Sequence, residues 1–374
     1  TYAGAVEACA STGGCLMPPV MGAAAFIMAN FLNVPYAEVV KAAFLPAILF
    51  YLALVLQTDF YAARNNLRGV DRKETPPIFS TLVSGWYYIL ALVGLTVLLL
   101  VWRVESEAPF WVSLFLLGVA ILRARALGFD LRAFCQLIVD VGQAVAQLVC
   151  LLAGIGLIIG AMSVTGVANS FSRELVQYAG GNLALLLAVG AITSFILGMG
   201  MTASACYIFL AIVLAPALVQ MNIDPMAAHL YIFYWGIVSF ITPPVALAAI
   251  AAASIAKADA MAVGFKSLRV GSLLLLLPVL FVLQPALILK GPWEIILQSA
   301  LTATVAVVFL AAAFEGYLWW VGSLPIWSRV CLGFAGITLF IPELYTDLFG
   351  GVLGLITVTA TAVANRNQRR ILWG

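Results

Sequence analysis

Apolar runs of about 17–25 residues recur along this chain, and they constrain its fold more than any other feature. Of the 374 residues, 64% are hydrophobic and 9% are charged, whereas soluble domains carry about 25% charged residues. A bilayer is the natural solvent for such a sequence, and a very large soluble core is the weaker alternative. We therefore predict an all-α polytopic membrane protein.

The apolar segments predict both uninterrupted and interrupted membrane helices. Two interrupted spans, at roughly 4–31 and 227–256, each contain a proline pair. Two short apolar arms at roughly 183–219 are joined by GMGMTASA, and we expect a re-entrant hairpin there, with two full spans as the alternative. The uninterrupted helices are expected at roughly 42–58, 83–102, 109–122, 143–163, 268–289, 295–314, 327–341 and 348–364.

The basic residues predict an orientation, because cytoplasmic loops of membrane proteins are enriched in Lys and Arg. Counting the predicted crossings places fourteen of them on one side, which we take as cytoplasmic, together with the C-terminus. These fourteen are Arg64, Arg68, Arg72, Lys73, Arg123, Arg125, Arg132, Lys257, Lys266, Arg269, Arg329, Arg366, Arg369 and Arg370. The four on the opposite side are Lys41, Arg103, Arg173 and Lys290.

The same topology predicts inverted repeats. The first interrupted span must run from inside to outside, and the second from outside to inside. The sequences MPPVMGAAA at Met17–Ala25 and ITPPVALAA at Ile241–Ala249 repeat one pattern, in which the proline pairs Pro18–Pro19 and Pro243–Pro244 are 225 positions apart. Between the repeats, the more polar segments 129–142 and 169–181 are either interfacial amphipathic helices or connecting loops.

The proline pairs predict ion sites. Proline removes a backbone donor and clashes with the carbonyl one turn back, so each pair frees backbone groups that must be buried or line a cavity. Hydroxyl and unwound carbonyl oxygens form a shell suited to a small monovalent cation, with no carboxylate required. The residues that flank the two pairs are Ser11, Thr12, Gly13 and Gly14, and Gly236, Ser239 and Thr242.

The hairpin tip predicts a site for an anion rather than a cation. Thr202 and Ser204 open a helix whose free N–H groups attract anions, so we expect substrate contacts from these two residues and from the prolines. Glu7 lies either within the membrane, as a functional candidate, or at its edge. His229, beside Asp224, is expected at the outer interface, and a role in gating is the weaker alternative for it. The prolines in question are Pro18, Pro19, Pro243 and Pro244.

The composition argues against several other functions. An enzyme should show paired carboxylates, a His cluster or a nucleophile with its base, and the chain has one His and six Cys without a CxxC pair. A net charge of +2 suggests no nucleic-acid partner. No organic cofactor is expected. The chain begins at Thr1 without a charged n-region, so we expect no signal peptide and a fragment whose upstream part is missing.

Three long segments carry a family resemblance. They are GAVEACASTGGCLMPPVMGAAAFIMANF, GNLALLLAVGAITSFILGMGMTASACYIFLAIVLAPAL and AAHLYIFYWGIVSFITPPVALAAIAAASIA. They resemble the large membrane subunit of TRAP transporters, most closely the fused permeases that work with TAXI-type binding proteins. The resemblance divides the chain into a permease core at 1–290, with a second inverted repeat at about 143–290, and extra C-terminal helices at 291–374.

The resemblance implies a bacterial inner-membrane symporter that imports a carboxylate, such as a C4-dicarboxylate, by an elevator mechanism with sodium as the coupling ion. Its partners would be a periplasmic TAXI-type binding protein and a small membrane subunit or its fused equivalent. A first sodium site is implied at Ser11, Thr12, Gly13 and Gly14, facing a first hairpin that this fragment lacks. A second is implied at Gly198, Gly200, Thr202, Gly236, Ser239 and Thr242.

Two other functions remain open at this point. A sodium/dicarboxylate symporter that needs no binding protein follows the same structural logic. A channel is the competing class, and it would permit flux without saturation or sodium coupling.

Overall fold

The computed structural model describes residues 1–69, 75–105, 107–124, 130–199, 201–341 and 343–373, and their regular secondary structure is almost entirely helical. In chain order the first helices are α1 Tyr2–Gly13, α2 Ala23–Leu32, α3 Tyr36–Arg64, α4 Ile78–Ser84, α5 Trp86–Leu100, α6 Ala108–Leu122, α7 Leu131–Thr165, α8 Val167–Tyr178 and α9 Leu183–Gly198. They are followed by α10 Ala203–Val213, α11 Ala215–Gln220, α12 Pro225–Val238, α13 Leu247–Ala256, α14 Ala260–Val270, α15 Ser272–Leu283, the 3₁₀ turn Pro285–Ile288, α16 Trp293–Glu315, strands β1 Tyr317–Leu318 and β2 Gly322–Ser323, α17 Ile326–Thr338 and α18 Leu344–Trp373.

Five helical segments of the described chain are long and apolar enough to cross a membrane, or six when the bent pair α4 and α5 is included. A helix rises about 1.5 Å per residue, so the 23 residues of α16 exceed the roughly 30 Å of a hydrocarbon core. The predicted class, an all-α multi-pass membrane protein, is confirmed. The five segments are Tyr36–Arg64, Leu131–Met162, Ala260–Leu283, Trp293–Glu315 and Tyr345–Asn365.

Both predicted interrupted spans are broken helices. The first consists of α1 and α2, and the second consists of α12 and α13. The proline pairs lie in the non-helical segments between the halves, and the peptide bond within each pair is cis. The predicted hairpin is also present as α9 and α10, which are separated by only four residues in the sequence and contact each other.

The two broken helices pack against each other head to tail. The first half of one, α1, contacts the second half of the other, α13. Conversely, α2 contacts α12, and it also contacts the hairpin arm α10. Two antiparallel broken helices have this reciprocal pairing, which is the arrangement that the inverted repeats predict.

The hairpin lies along the first half of the second broken helix. Both α9 and α10 contact α12, and a buried Tyr231 on α12 donates a hydrogen bond to the carbonyl of Leu187 on α9. The breaks at the ends of α9 and α12 are therefore brought to one place.

The C-terminal helices form a layer on the rest of the protein. Helix α16 packs along α3, α17 packs on α16, and α18 packs on α17. A small hairpin of β1 and β2 joins α16 to α17, and no sequence pattern predicted it. The Trp319 indole on this hairpin donates to the Asp59 carboxylate at 2.7 Å, so the hairpin is fixed to the end of α3.

Two predicted boundaries are wrong. Of the segment predicted at 129–142, residues 131–142 do not form a separate interfacial helix or loop, since they belong to α7, which runs without interruption through 35 residues, and residue 129 lies outside the described residues. That segment contains no proline, and Asp140 accepts a hydrogen bond from Gln136 one turn earlier, which suits the helix. The span expected at 268–289 instead comprises α14 and α15 and ends at Leu283, just before Pro285. The expected amphipathic segment at 169–181 is helical as α8.

Candidate functional site

The first half of the first broken helix, α1, ends because its last hydrogen bonds reach back three residues instead of four. The Gly14 N–H donates to Ser11 at 3.1 Å rather than to Ala10, four residues back. The carbonyl of Ala10 is thereby released, and the hydroxyl of Tyr51 on α3 donates to it at 2.8 Å. A tyrosine from a neighbouring helix thus satisfies the group that the break exposes.

A second tyrosine of α3 supports the other side of this break. The Tyr36 hydroxyl donates to the Pro19 carbonyl at 2.8 Å, and its ring stacks on Phe26 of α2 at 4.1 Å. The segment from Ala10 to Pro19, which ends in the proline pair, is therefore held at both ends by tyrosines of α3.

The four residues predicted for the first ion site have different surroundings. Ser11 is exposed and donates to the Glu7 carboxylate at 2.9 Å, and Gly14 is exposed too. Gly13 is buried against Phe50 of α3. Thr12 is 4% exposed, and its hydroxyl has no hydrogen-bond partner among the described residues. Of these four residues, only Thr12 offers a buried side-chain oxygen without a hydrogen-bond partner among the described residues.

The second predicted site is brought together by the hairpin. A Cβ placed on Gly198, at the end of α9, would lie 2.5 Å from the Gly236 carbonyl oxygen and 2.7 Å from the Ser239 hydroxyl oxygen. Ser239 is buried and donates to Gly236 at 2.7 Å. Thr242 is also buried and donates to Val238 at 3.0 Å. Gly198, Gly236 and Ser239 are therefore in direct contact, and Thr242 lies three residues further along.

The hairpin tip has the predicted helix start. The Thr202 hydroxyl accepts a hydrogen bond from the Ala205 N–H at 3.3 Å, which makes Thr202 the N-cap of α10. Thr202 is exposed and Ser204 is half-buried. Gly200 lies outside the described residues.

The four prolines differ in their burial. Pro18 and Pro19 are half-buried, as is Pro243, which packs on α14 so tightly that a Cβ at Gly264 would lie 2.9 Å from its ring. Pro244 is exposed. Tight packing by Pro243 fixes the second break against the helix that follows it.

Ser194 is a candidate that the sequence analysis missed. It lies on α9 one turn before Gly198, it is completely buried, and its hydroxyl has no partner among the described residues. The thiol of Cys206 donates to the Ser194 carbonyl at 3.8 Å, and a Cβ on Gly236 would lie 3.1 Å from that sulfur. Its spacing of four from Gly198 was the available signal, since residues four apart share a helix face.

His229, expected at the outer interface, contacts two other elements of the fold. Its side chain is buried, and Nδ1 lies 2.7 Å from the hydroxyl of Tyr207 on the hairpin arm α10. Phe31 of the first broken helix lies beside both rings. Asp224 instead caps α12 and pairs with Lys290 at 2.7 Å. His229 therefore joins three elements inside the protein.

The site is built from neutral oxygens. In the described part of the chain, no group of three or more His, Cys, Asp or Glu side chains could hold a metal ion. The polar atoms of the predicted site residues themselves belong to hydroxyls and backbone carbonyls, which offer partial charges only, and the one carboxylate bonded to them is that of Glu7 on Ser11. Such a set suits a monovalent cation better than Mg²⁺ or Ca²⁺, which are usually bound through carboxylates.

Inverted broken helices that meet a helical hairpin define a class, the secondary transporters with discontinuous helices. Comparison with known families shows which family of this class the chain belongs to. The family model of the tripartite ATP-independent periplasmic transporter, DctM component, matches residues 1–292, and the chain belongs to this family. It is thus a multi-pass permease of a transporter family and not of an enzyme family. No curated protein matches the chain.

Proposed function

We propose that this permease imports an organic anion, a carboxylate, by coupling its movement to sodium, and that a periplasmic binding protein delivers the substrate. The observation that carries the proposal is the contact of the hairpin end at Gly198 with Gly236 and Ser239. This contact places two helix breaks, with their hydroxyls and carbonyls, at one point of the fold.

We infer the sodium sites from buried hydroxyl oxygens near the two breaks that have no hydrogen-bond partner among the described residues. A buried hydroxyl without a partner costs about 1–3 kcal/mol, and Thr12 and Ser194 both have one. A cation ligated by these oxygens would offset that cost. We assign the first site to Ser11, Thr12, Gly13 and Gly14. The second site is assigned to Gly198, Gly200, Thr202, Gly236, Ser239 and Thr242, and Ser194 is added to it.

The anionic substrate follows from the start of α10. Helix N-termini carry unpaired N–H groups and a positive partial charge, which favour carboxylates. Thr202 satisfies the N–H of Ala205. The other N–H groups of the first turn, the exposed Thr202 and the half-buried Ser204 are the proposed contacts. Pro18, Pro19, Pro243 and Pro244 would shape the wall of the pocket.

An elevator mechanism fits the packing. The two broken helices and the hairpin contact one another, as a unit that moves as a rigid body should. The long helix α3 contacts both this unit and the C-terminal helix α16. We propose that the unit moves against a scaffold that contains the C-terminal helices.

We also propose the partners, the location and the orientation of the protein. The partners would be a TAXI-type binding protein and a small membrane subunit or its fused equivalent, and the protein would lie in a bacterial inner membrane. The C-terminus would be cytoplasmic, because fourteen of the eighteen basic residues lie on that side of the predicted topology.

Uptake into liposomes tests the function. The permease, with its small membrane component, is reconstituted, and a panel of labelled carboxylates is supplied with and without a sodium gradient and the binding protein. Uptake that requires both is the expected result. Sodium-driven uptake without the binding protein would instead support the stand-alone symporter. Saturation-free flux without sodium would identify a channel, and preferred uptake of neutral or cationic solutes would contradict the assigned anion site.

A further inference from the structure

Three arginines from different helices converge on the C-terminal end of α16. Arg64, at the end of α3, donates to the Glu315 carbonyl at 2.7 Å. Arg269 of α14 donates to the Phe314 carbonyl and, at 2.9 Å, to the Glu315 carboxylate. Arg329 of α17 donates to Ala313 at 2.7 Å and to Phe314 at 3.0 Å. The carbonyls that a helix end leaves unpaired are thus capped by guanidinium groups.

This cluster carries more positive than negative charge. Glu315 is its buried carboxylate, and one of its oxygens has no hydrogen-bond partner among the described residues. Lys266 also lies near enough to act on Glu315. Arg64 and Arg269 are close enough to Arg329 to repel it. One carboxylate therefore faces four basic groups, and a further anion would relieve their repulsion.

An apolar groove begins at the same cluster. It has a volume of about 580 Å³ and lies between α15, α16 and α17, with Arg329 as its charged residue. Ile326, Val330, Gly333 and Ile337 line one wall at a spacing of four, three and four residues, which places them on one face of α17. Ala313 and Phe314, whose carbonyls bind Arg329, line the other wall. The charged end of the groove is therefore the end at which α16 stops.

We propose that this groove binds an anionic phospholipid, with its phosphate at Arg329 and an acyl chain along the face of α17. A basic group at one end of an apolar groove between membrane helices matches the two parts of such a lipid. Guanidinium groups bind phosphate oxygens through two parallel hydrogen bonds. Helix α15 belongs to the segment that the family matches, and α17 lies beyond it. The lipid would thus connect the permease core to the C-terminal helices.

A second groove in the same layer offers a matched control. It has about 660 Å³, lies between α16, α18 and the β1–β2 hairpin, and is lined by no charged residue. Gly351 lines this groove, and a Cβ there would meet nothing within 4 Å. Gly333 is equally tolerant, because its nearest neighbour would be the Ala313 Cβ at 3.9 Å. Leucine at either position would fill one groove and leave the arginines intact.

The test is the melting temperature of the purified full chain in a neutral detergent. Phosphatidylglycerol should raise it by at least about 3 °C more than phosphatidylcholine with the same acyl chains. Gly333→Leu should abolish this difference, and Gly351→Leu should keep it. Arg329→Gln should also abolish it, although this variant loses two bonds to α16 as well.

Three results would overturn the proposal. Equal shifts from both lipids would show that the groove holds acyl chains without regard to charge. An equal shift from inorganic phosphate alone would show a free anion site rather than a lipid site. If phosphatidylglycerol still raised the melting temperature of Gly333→Leu more than phosphatidylcholine does, the lipid would bind elsewhere.

Discussion

The carbonyl oxygen of Gly236 lies 2.5 Å from where a Cβ on Gly198 would be, so the hairpin and the second broken helix meet closer than any larger residue allows. The obstacle is backbone, which cannot rotate away as a flexible side chain can. Gly198→Ala should therefore separate the two breaks. We expect sodium-dependent uptake to fall at least about tenfold, as removal of a well-placed interaction of 1.4 kcal/mol or more would produce.

Gly94→Ala is the control for that variant. Gly94 lies on α5, and a Cβ there would meet nothing within 4 Å. Its uptake should match that of the unmodified protein. Normal sodium affinity in Gly198→Ala would show that this contact is structural only.

Thr242→Ala should weaken sodium binding more than it weakens folding. The Thr242 hydroxyl is buried and donates within its own chain segment, to Val238 at 3.0 Å. Losing that bond costs about 1 kcal/mol of stability, whereas losing an ion ligand should raise the sodium concentration for half-maximal uptake severalfold. Thr357 in α18 donates to Leu353 at 2.7 Å and is equally buried, so Thr357→Ala controls for the lost bond. Equal sodium dependence in both variants would remove Thr242 from the site.

Ser194→Ala distinguishes an ion ligand from an unsatisfied hydroxyl. As a ligand, the Ser194 oxygen contributes to sodium affinity, so the variant should need more sodium for uptake and gain less thermal stability from sodium. If the hydroxyl simply has no partner, its removal should stabilise the protein by about 1 kcal/mol and leave sodium dependence unchanged. Melting curves with and without sodium would separate the two results.

Tyr51→Phe tests how the first break is held. The Tyr51 hydroxyl donates to the Ala10 carbonyl at 2.8 Å, and without it that carbonyl loses its partner. We expect a loss of about 1–3 kcal/mol in the free energy of unfolding. Sodium dependence should change as well, because Thr12 lies two residues further on. Tyr231→Phe breaks a comparable bond between α12 and α9, away from this break. A loss of stability in Tyr51→Phe without any change in sodium dependence would show that the two are independent.

Hydrophobic patterning predicted much of this fold, because each membrane helix must satisfy its own backbone hydrogen bonds. The limits of α16, the two broken helices and the α9–α10 hairpin followed from apolar length and from Pro and Gly positions, whereas α3 extends six residues beyond each end of the span predicted at 42–58. The pattern gave a wrong boundary where polar residues lie within an apolar helix. Arg132 and Asp140 suggested an interfacial segment, yet α7 continues through them because one polar side chain bonds to another a turn away.

The sequence by itself determined where the helices run and where they break, since both depend on neighbouring residues. Only the tertiary structure decided which breaks meet. It placed Gly198 against Gly236, left the hydroxyls of Thr12 and Ser194 without partners among the described residues, and gathered Arg64, Arg269 and Arg329 at Glu315. Those contacts join residues far apart in the chain. Packing and electrostatics between helices select them, and no local pattern encodes either.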